Sequence, residues 1–319
     1  MVAPSSHLGG FLEEGVRRGV SPEATTAHEL RADQLTQDQA AMLDKLRAFP
    51  RLRVVGGAGT GKTYLALEQA RRRAREGDRV ALLCYSRGLA AYLGEVTGAW
   101  PARERPAYVG LFHDLPLRWG AEPGSDDDGD YWERRLPLRL AELADAQPEH
   151  ERFDAVVVDE GQDFGELWWP GVLRCLRDPE HGRLYVFMDD NQRIFPRDGA
   201  PPIDLPPVEL DENLRSTKQI AQLCGSLSGT VLRARGGDGP PVRIVDVPAD
   251  EAVGHAALAV NGLRDAARAR EMLYAGLSRA RSLLVVVGPR ELVVEHGGEG
   301  VARRLAAAQD ITEAVLAGA

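Results

Sequence analysis

The chain has 319 residues, 44% of them hydrophobic, which is enough for two globular domains with cores of their own. Its formal net charge of −9 argues against a protein that coats DNA non-specifically, because such proteins are usually basic, although a local basic groove could still bind nucleic acid. No stretch has the roughly 20 apolar residues of a membrane span, no secretory signal is evident at the N-terminus, and the three cysteines are far apart; these features predict a cytoplasmic protein with buried, reduced thiols.

The first part of the chain shows the pattern of a parallel α/β domain. Residues 1–30 carry weak structural signals, and we expect the first domain to span 31–205. A helix is predicted from Thr36, an N-cap with Gln39 three residues later, to about Phe49. Four apolar runs then predict buried strands, most of them separated by helical patterns: Leu52–Val55, Val80–Cys84, Ala155–Val158 and Leu184–Phe187. Such alternation predicts a parallel sheet with helices.

The second part predicts a smaller α/β unit. The Pro-rich stretch Pro196–Pro207 is interpreted as a linker between the halves, and the second domain is expected over 206–319. Its predicted elements alternate between helix and strand: helix Ser216–Ser226, strand Val242–Val247, helix Ala249–Arg270 and strand Leu283–Val287. Only one helix-sized segment lies between the two strands, so we expect the unit to be small.

A phosphate-binding loop follows the first predicted strand. Residues 56–63, Gly-Gly-Ala-Gly-Thr-Gly-Lys-Thr, fit the pattern G-x-x-x-x-G-K-[ST] at every fixed position, and the helical pattern Tyr64–Ala74 follows. The glycines let backbone N–H groups surround phosphate oxygens, and the helix N-terminus adds partial positive charge. We therefore predict that a nucleoside triphosphate is bound by Gly57, Ala58, Gly59, Thr60, Gly61, Lys62 and Thr63. Lys62 would reach the β- and γ-phosphates, and the Thr63 hydroxyl would ligate Mg²⁺.

Two acids, Asp159 and Glu160, end the predicted strand Ala155–Val158. Asp159 would hold Mg²⁺ directly or through water, and Glu160 would orient and deprotonate the attacking water. Alone, two acids at a strand end are commonly solvated. Together with a phosphate-binding loop in the same α/β chain, they indicate a catalytic site.

Two further charged segments favour ordinary surface roles. Arg71, Arg72, Arg73 and Arg75 cluster on the helix after the phosphate loop, which is more typical of a solvated helix face than of a nucleic-acid site. The acidic segment Gly124–Asp130 lacks the full calcium-loop pattern and is predicted to be an exposed loop.

Residues 159–163, Asp-Glu-Gly-Gln-Asp, resemble the D-E-x-Q-D box of superfamily I helicases of the UvrD/Rep type. Other stretches are similar to further motifs of that family and occur in its order. They are Leu35–Gln39 (Q motif), Leu83–Arg87 with Leu89 and Ala90, Leu111–His113 (T-F-H), Asp189–Gln192 (G-D-x-x-Q), Asn213–Ser216 (N-Y-R-S) and Tyr274–Arg281 (Y-V-x-L-T-R-A). The resemblance spans most of the chain and implies a P-loop NTPase with a RecA-like domain followed by a second, truncated RecA-like domain, using ATP and Mg²⁺.

The resemblance also implies roles for matched residues. Gln39 would read the adenine edge, and Gln192 would sense the γ-phosphate. Arg215 would contact the γ-phosphate and Arg279 would be the arginine finger, which contributes roughly 10³–10⁵ in rate in known cases. Single-stranded DNA would be contacted by Ser86, Arg87, Phe112, His113 and Phe195, with Phe112 and Phe195 stacking on bases. Trp168 and Trp169 are more typical of a core.

Two departures from the family leave the activity open. The chain lacks room for the large inserted subdomains, and no counterpart of the K-G-L-E motif lies between Asn213 and Arg279. Three hypotheses remain: a helicase-like ATPase acting on single-stranded DNA, a nucleotide-dependent switch or regulatory module with protein partners, and a remnant that binds ATP but hardly hydrolyses it.

Overall fold

The computed structural model describes Leu43 and residues 49–189, 201, 203–228, 233–239, 241–245, 269–277, 284–287, 289–306 and 308–310. The helix predicted from Thr36 and almost all of the one predicted over Ala249–Arg270 lie outside these ranges. The chain divides into two compact units. The larger contains residues 62–210 and the strand that precedes the phosphate loop, and the smaller joins residues 57–61 to the chain from Asp211 onward.

The larger unit is built on a six-stranded sheet in which all neighbours are parallel. Its strands are β1 Arg51–Gly56, β2 Val80–Cys84, β3 Tyr108–Leu111, β4 Ala155–Val158, β5 Arg183–Met188 and β6 Pro207–Leu210. The order across the sheet is β3-β2-β4-β5-β1-β6. The four predicted strands are confirmed as β1, β2, β4 and β5, and the stretch interpreted as a linker ends in β6.

Helices cover both faces of this sheet. They are α1 Lys62–Arg75, α2 Arg87–Gly98, α3 Asp114–Arg118, α4 Leu136–Ala146, preceded by a π-helical turn at Tyr131–Arg135, and α5 Trp169–Arg174. Alternate β4 residues enter different cores: Val156 and Val158 pack on one face, Ala155 and Val157 on the other. Burial on both faces explains why β2 and β4 are continuous apolar runs. The parallel α/β architecture predicted for this domain is confirmed.

The smaller unit has short strands and three described helices. The helices are α6 Lys218–Ser228, α7 Ala269–Leu277 and α8 Arg290–Ala306, and the strands are β7 Glu212–Asn213, β8 Arg233–Ala234, β9 Arg243–Val245, β10 Val285–Val287 and β11 Gln309–Asp310. Strands β10, β9 and β11 form one parallel sheet, and β7 pairs parallel with β8. Apolar side chains of the helices and of β9 and β10 share one core, so the small α/β unit predicted for the second half is confirmed within the described ranges.

The described helices include none that is both long and apolar enough to cross a membrane.

Candidate nucleotide-binding site

The phosphate-binding loop forms a tight turn between β1 and α1. The Thr60 hydroxyl donates to the Gly57 carbonyl at 2.8 Å, and the Thr60 N–H makes a longer contact of 3.4 Å with the same oxygen. Gly59 and Gly61 have φ angles of +80° and +87°, a region that L side chains rarely adopt. Helix α1 begins at Lys62 immediately afterwards. Glycine is therefore needed at positions 59 and 61 for the turn itself.

Lys62 is held in place by two buried oxygen atoms. Its Nζ donates to the Gly56 carbonyl at 2.8 Å and lies 3.5 Å from Asp189 Oδ2. Asp189 is fully buried and follows β5, the strand next to β1. Sequence reasoning gave Asp189 no role of its own, although an acid directly after a buried strand was a visible signal. In the structure, Asp189 compensates the lysine charge.

Asp159 is fully buried at the end of β4. Its Oδ1 accepts the Glu160 N–H at 3.1 Å, whereas Oδ2 is buried without a hydrogen-bond partner among the described residues. Burial, followed by the charge of Glu160, raises the Asp159 pKa to about 7, and a hydrogen bond from Thr63 and the charge of Lys62 oppose the shift.

The donor set around Asp159 suits Mg²⁺. A buried carboxylate oxygen without a partner is costly unless a cation neutralises it, and Mg²⁺ is commonly held by one or two protein oxygens together with substrate phosphates and water. The carboxylate of Asp159 and the hydroxyl of Thr63 are such oxygens. Within the described ranges, no cluster of three or more histidine, cysteine, aspartate or glutamate side chains could hold a metal on its own. The two protein oxygens of Asp159 and Thr63 suit a metal that is shared with phosphate groups.

Glu160 has a strained backbone and a fixed side chain. It is the one non-glycine residue in the described part of the chain with a positive φ, at φ 56° and ψ 47°. Such strain is common at functional sites. Gln162, which is 3% exposed, donates through Nε2 to Glu160 Oε2 at 2.6 Å and accepts the Asp189 N–H through Oε1 at 2.9 Å. One buried amide thus joins the acid after β4 to the backbone after β5, a role that sequence reasoning missed.

Gly161 makes this arrangement possible. A Cβ on Gly161 would lie 2.5 Å from a methyl carbon of Val186 in β5, closer than real side chains approach. The 3₁₀ turn Gly161–Asp163 can therefore lie against β5 only without a side chain at this position. Because β1, β4 and β5 are parallel, the residues that follow them lie at the same end of the sheet, where the strands have their carboxyl ends. The strand order brings Lys62, Asp159 and Asp189 to that end.

The predicted arginines are only partly described. Arg215 lies half-buried in the turn before α6, and its positive charge opposes the rise in the Cys224 pKa, which burial raises to about 12. Gln39, Gln192, Phe195 and Arg279 lie outside the described residues, so their roles stay predictions. All three cysteines are buried and free of disulfides, as expected.

The residues predicted to contact DNA differ in their exposure. Ser86 and Arg87 are exposed at the start of α2, where the Ser86 hydroxyl accepts the Leu89 N–H at 3.2 Å as an N-cap. Arg87 forms no ion pair with a described residue. These two side chains remain candidates for nucleic-acid contact.

Phe112 and His113 lie in the core instead. The ring of Phe112 is fully buried and stacks on Trp168 with ring centroids 4.8 Å apart and planes 3° apart. This corrects the expectation that Phe112 stacks on bases, because its ring is already covered by protein. His113 is 9% exposed, with Nε2 2.8 Å from the Trp132 carbonyl and its ring edge-on to Trp168, so it packs within the protein. Trp168 and Trp169 are also fully buried.

Comparisons with known proteins find similar solved structures but no family. Neither the family models nor the curated proteins compared with the sequence match it. Similar solved structures include the PRRSV helicase, at 13% identity and a TM-score of 0.44, covering 74% of this chain and 52% of that one. The arterivirus nonstructural protein 10 helicase is similar at 13% identity and a TM-score of 0.42, covering 77% of this chain and 61% of that one. Its complex with DNA is similar at 13% identity and a TM-score of 0.41, covering 77% and 63%.

The chain thus spans between about half and two thirds of the length of these helicase chains. At such identities and scores, the similarities assign neither a family nor an activity.

Proposed function

We propose that the chain is an ATP-binding, helicase-like NTPase of the UvrD/Rep type that hydrolyses ATP with Mg²⁺ and acts on single-stranded DNA. The observation that carries the proposal is the group of side chains at the carboxyl ends of β1, β4 and β5. There, the lysine of a phosphate-binding loop lies within hydrogen-bond reach of one buried acid and acts electrostatically on another, Asp159, which has an unpartnered oxygen. A purely structural strand end has no use for such a group.

Each residue of the proposed site would have a role in phosphoryl transfer. The N–H groups of the loop and the Lys62 ammonium would hold the β- and γ-phosphates. Thr63 and Asp159 would hold Mg²⁺, which supplies positive charge to the phosphates when bound. Glu160, fixed by Gln162, would accept a proton from the attacking water. Arg215 and Arg279 would stabilise the negative charge that develops on the transferred group, and Gln192 would sense the γ-phosphate.

Single-stranded DNA is the proposed polymer substrate. Arg87 supports this part of the proposal, because it is exposed at the N-terminus of α2 and has no acidic partner in the described part of the chain. An arginine in this state is available to a phosphate backbone. Ser86 is adjacent, and Phe195 is the remaining aromatic candidate for base stacking.

The proposal is tested by measuring ATP turnover with and without a single-stranded oligonucleotide over a salt series. We expect turnover that needs Mg²⁺, rises with the oligonucleotide and loses this stimulation at high salt, because phosphate contacts release counterions. Lys62→Ala should abolish turnover, and Arg87→Ala should weaken the stimulation.

The other outcomes separate the rival functions. A rate of ATP turnover that does not change when DNA is added would favour a nucleotide-dependent switch acting on protein partners. ATP binding without turnover would identify a remnant. Absence of ATP binding would overturn the whole proposal.

A further inference from the structure

Within the smaller unit, two residues that follow β6 bind carbonyl groups of the phosphate-binding loop. The Asn213 side chain donates through Nδ2 to the Ala58 carbonyl at 2.8 Å, and the Leu214 N–H donates to the Gly59 carbonyl at 2.9 Å. Asn213 is 3% exposed, so its bond to Ala58 is shielded from water. Sequence reasoning used Asn213 only as the first residue of the box that contains Arg215.

These two bonds determine which way the loop N–H groups point. A trans peptide unit places its C=O and N–H on opposite sides. Because the Ala58 carbonyl faces Asn213, the Gly59 N–H points away from Asn213. Because the Gly59 carbonyl faces Leu214, the Thr60 N–H points away from Leu214, towards the Gly57 carbonyl at 3.4 Å. A phosphate-binding loop needs this arrangement, since N–H groups attract phosphate oxygens and carbonyl oxygens repel them.

The loop is fitted closely to this support. A Cβ on Gly59 would lie 2.7 Å from Asn213 Nδ2, so the asparagine amide packs directly on the glycine backbone. On the preceding peptide, the Ala58 N–H donates to the Tyr274 hydroxyl at 2.9 Å. Ala58 itself packs in the apolar cluster that includes Tyr274. The loop is thus held at three consecutive backbone positions.

We propose that Asn213 is a positioning residue for the phosphate-binding loop: its side-chain NH₂ turns the Ala58 carbonyl away from the phosphates and presents the Gly59 N–H of the same peptide to them. This inference rests on the proposed nucleotide-binding function and adds to it a residue that supports the loop without touching the nucleotide. Asn213 has a second contact that must be separated from this one, because its Oδ1 accepts the Ser216 N–H at 2.9 Å in the turn before α6.

Two substitutions separate these contacts. Asn213→Asp keeps the size and the acceptor for the Ser216 N–H but places a carboxylate oxygen against the Ala58 carbonyl. Asn213→Ala removes both contacts. The readout is the Kd of a fluorescent ATP analogue with Mg²⁺, measured for each variant and the wild type, with thermal unfolding without nucleotide as the check on folding.

At about pH 8, we expect Asn213→Asp to weaken binding tenfold or more, the size of effect that follows from an unsatisfied buried hydrogen-bonding group. Towards about pH 5, the introduced carboxyl group gains a proton and can donate to the Ala58 carbonyl again, as the amide does. The ratio of the Asn213→Asp Kd to the wild-type Kd should therefore fall towards one as the pH falls. The ratio for Asn213→Ala should stay high throughout. Recovery at low pH in the same preparation would also show that the variant is folded.

Three results would count against the inference. Wild-type affinity in Asn213→Asp, with weak binding in Asn213→Ala, would mean that only the turn with Ser216 matters. Equal affinity in all three proteins would exclude any role, and a loss in Asn213→Asp that does not recover at low pH would reflect general damage. A wild type that binds no nucleotide, or binds it equally well after Lys62→Ala, would instead overturn the proposed function together with this inference.

Discussion

Two groups of charged residues in the larger unit differ in whether their charged atoms have partners within the protein. The arginines at the end of α1 are neutralised by acids: Arg71 lies 2.6 Å from Glu104, and Arg73 lies 2.5 Å from Asp78. At the end of β4, one oxygen of Asp159 has no partner among the described residues. The pairing of Arg71 and Arg73 with acids indicates a structural role, whereas the unpartnered oxygen of Asp159 suits a ligand site.

The unbalanced group makes the native state less stable. Asp159 ionises against burial and against the neighbouring charge of Glu160, which raises its pKa. Glu160 itself lies in the left-handed region, which is unfavourable for a residue with a side chain. Both features lie in two adjacent residues, whereas Arg71 and Arg73 lie in a regular helix. Substitutions in the two groups should therefore have different consequences.

The largest effect is expected from Glu160→Gln, which removes the proposed base and keeps the shape of the side chain. Turnover of ATP should fall by about 10²–10⁴, the usual contribution of a general base. The Kd for an ATP analogue should change little, because the proton is taken in the transition state. Steady-state ATPase rates and nucleotide titration measure the two quantities.

Glu166→Gln is the matched control, since Glu166 is an exposed acid a few residues further along the chain. It should leave turnover unchanged. If both variants lose activity to the same extent, or if Glu160→Gln keeps wild-type turnover, Glu160 is not the base. The strained backbone of Glu160 would then have no link to catalysis.

A smaller effect, and a gain instead of a loss, is expected from Asp159→Asn, which should raise the stability of the protein. The pKa of Asp159 is raised from 3.8 to about 7, so this group favours folding below its ordinary pKa and the benefit is lost as the pH rises through about 7. Asparagine has no proton to lose. Without Mg²⁺, the variant should be more stable than the wild type at pH 8, by roughly 1–3 kcal/mol for relief of an unsatisfied buried group, and equally stable near pH 4.

Urea unfolding over a pH series with a chelator present measures this difference. Adding Mg²⁺ with a non-hydrolysable ATP analogue should then stabilise the wild type and have little effect on the variant. A variant that is less stable than the wild type at pH 8 would show that the Glu160 N–H, Thr63 and Lys62 together stabilise the ionised Asp159 carboxylate more than its burial destabilises it.

The sequence predicts the inner part of the sheet well and its edges poorly. The four predicted strands are the inner ones, β1, β2, β4 and β5. Of these, β2 and β4 are buried throughout and continuously apolar, whereas β1 alternates between buried and half-buried residues. The two missed strands are the edges, and each carries a residue that weakens the strand signal: Gly110 lies in β3 and Pro207 begins β6. Proline is tolerated at the first residue of an edge strand, so the pattern there is easily interpreted as a linker.

The candidate site divides in the same way. Lys62, Asp159 and Glu160 belong to local motifs and could be predicted. The contacts of Gln162 and Asn213 could not, because they join segments that are distant in sequence and meet only after folding. Burial also decides whether a motif aromatic is available to a ligand, and Phe112 shows that the sequence motif does not reveal it.

The smallest effect is expected from Arg71→Ala, the test of the balanced group. Arg71 pairs with Glu104, and its guanidinium lies 5.2 Å from the centre of the Trp100 ring. A hydrogen bond from Arg71 is the main cause that holds the Glu104 pKa below its usual range. That pairing favours folding above the ordinary glutamate pKa and is lost as the pH falls through the lowered value. The variant should thus lose slight stability near pH 7, and less in acid.

Because the Arg71 guanidinium is already engaged within the protein, its removal should leave both ATP turnover and its stimulation by single-stranded DNA unchanged. Arg87→Ala is the matched comparison: the same substitution, on the next helix, of an arginine that is exposed and has no acidic partner in the described ranges. Loss of stimulation in Arg87→Ala but not in Arg71→Ala would support the contrast between engaged and available charges. The reverse result would place the nucleic-acid surface on α1, where neutralisation by acids argues against it.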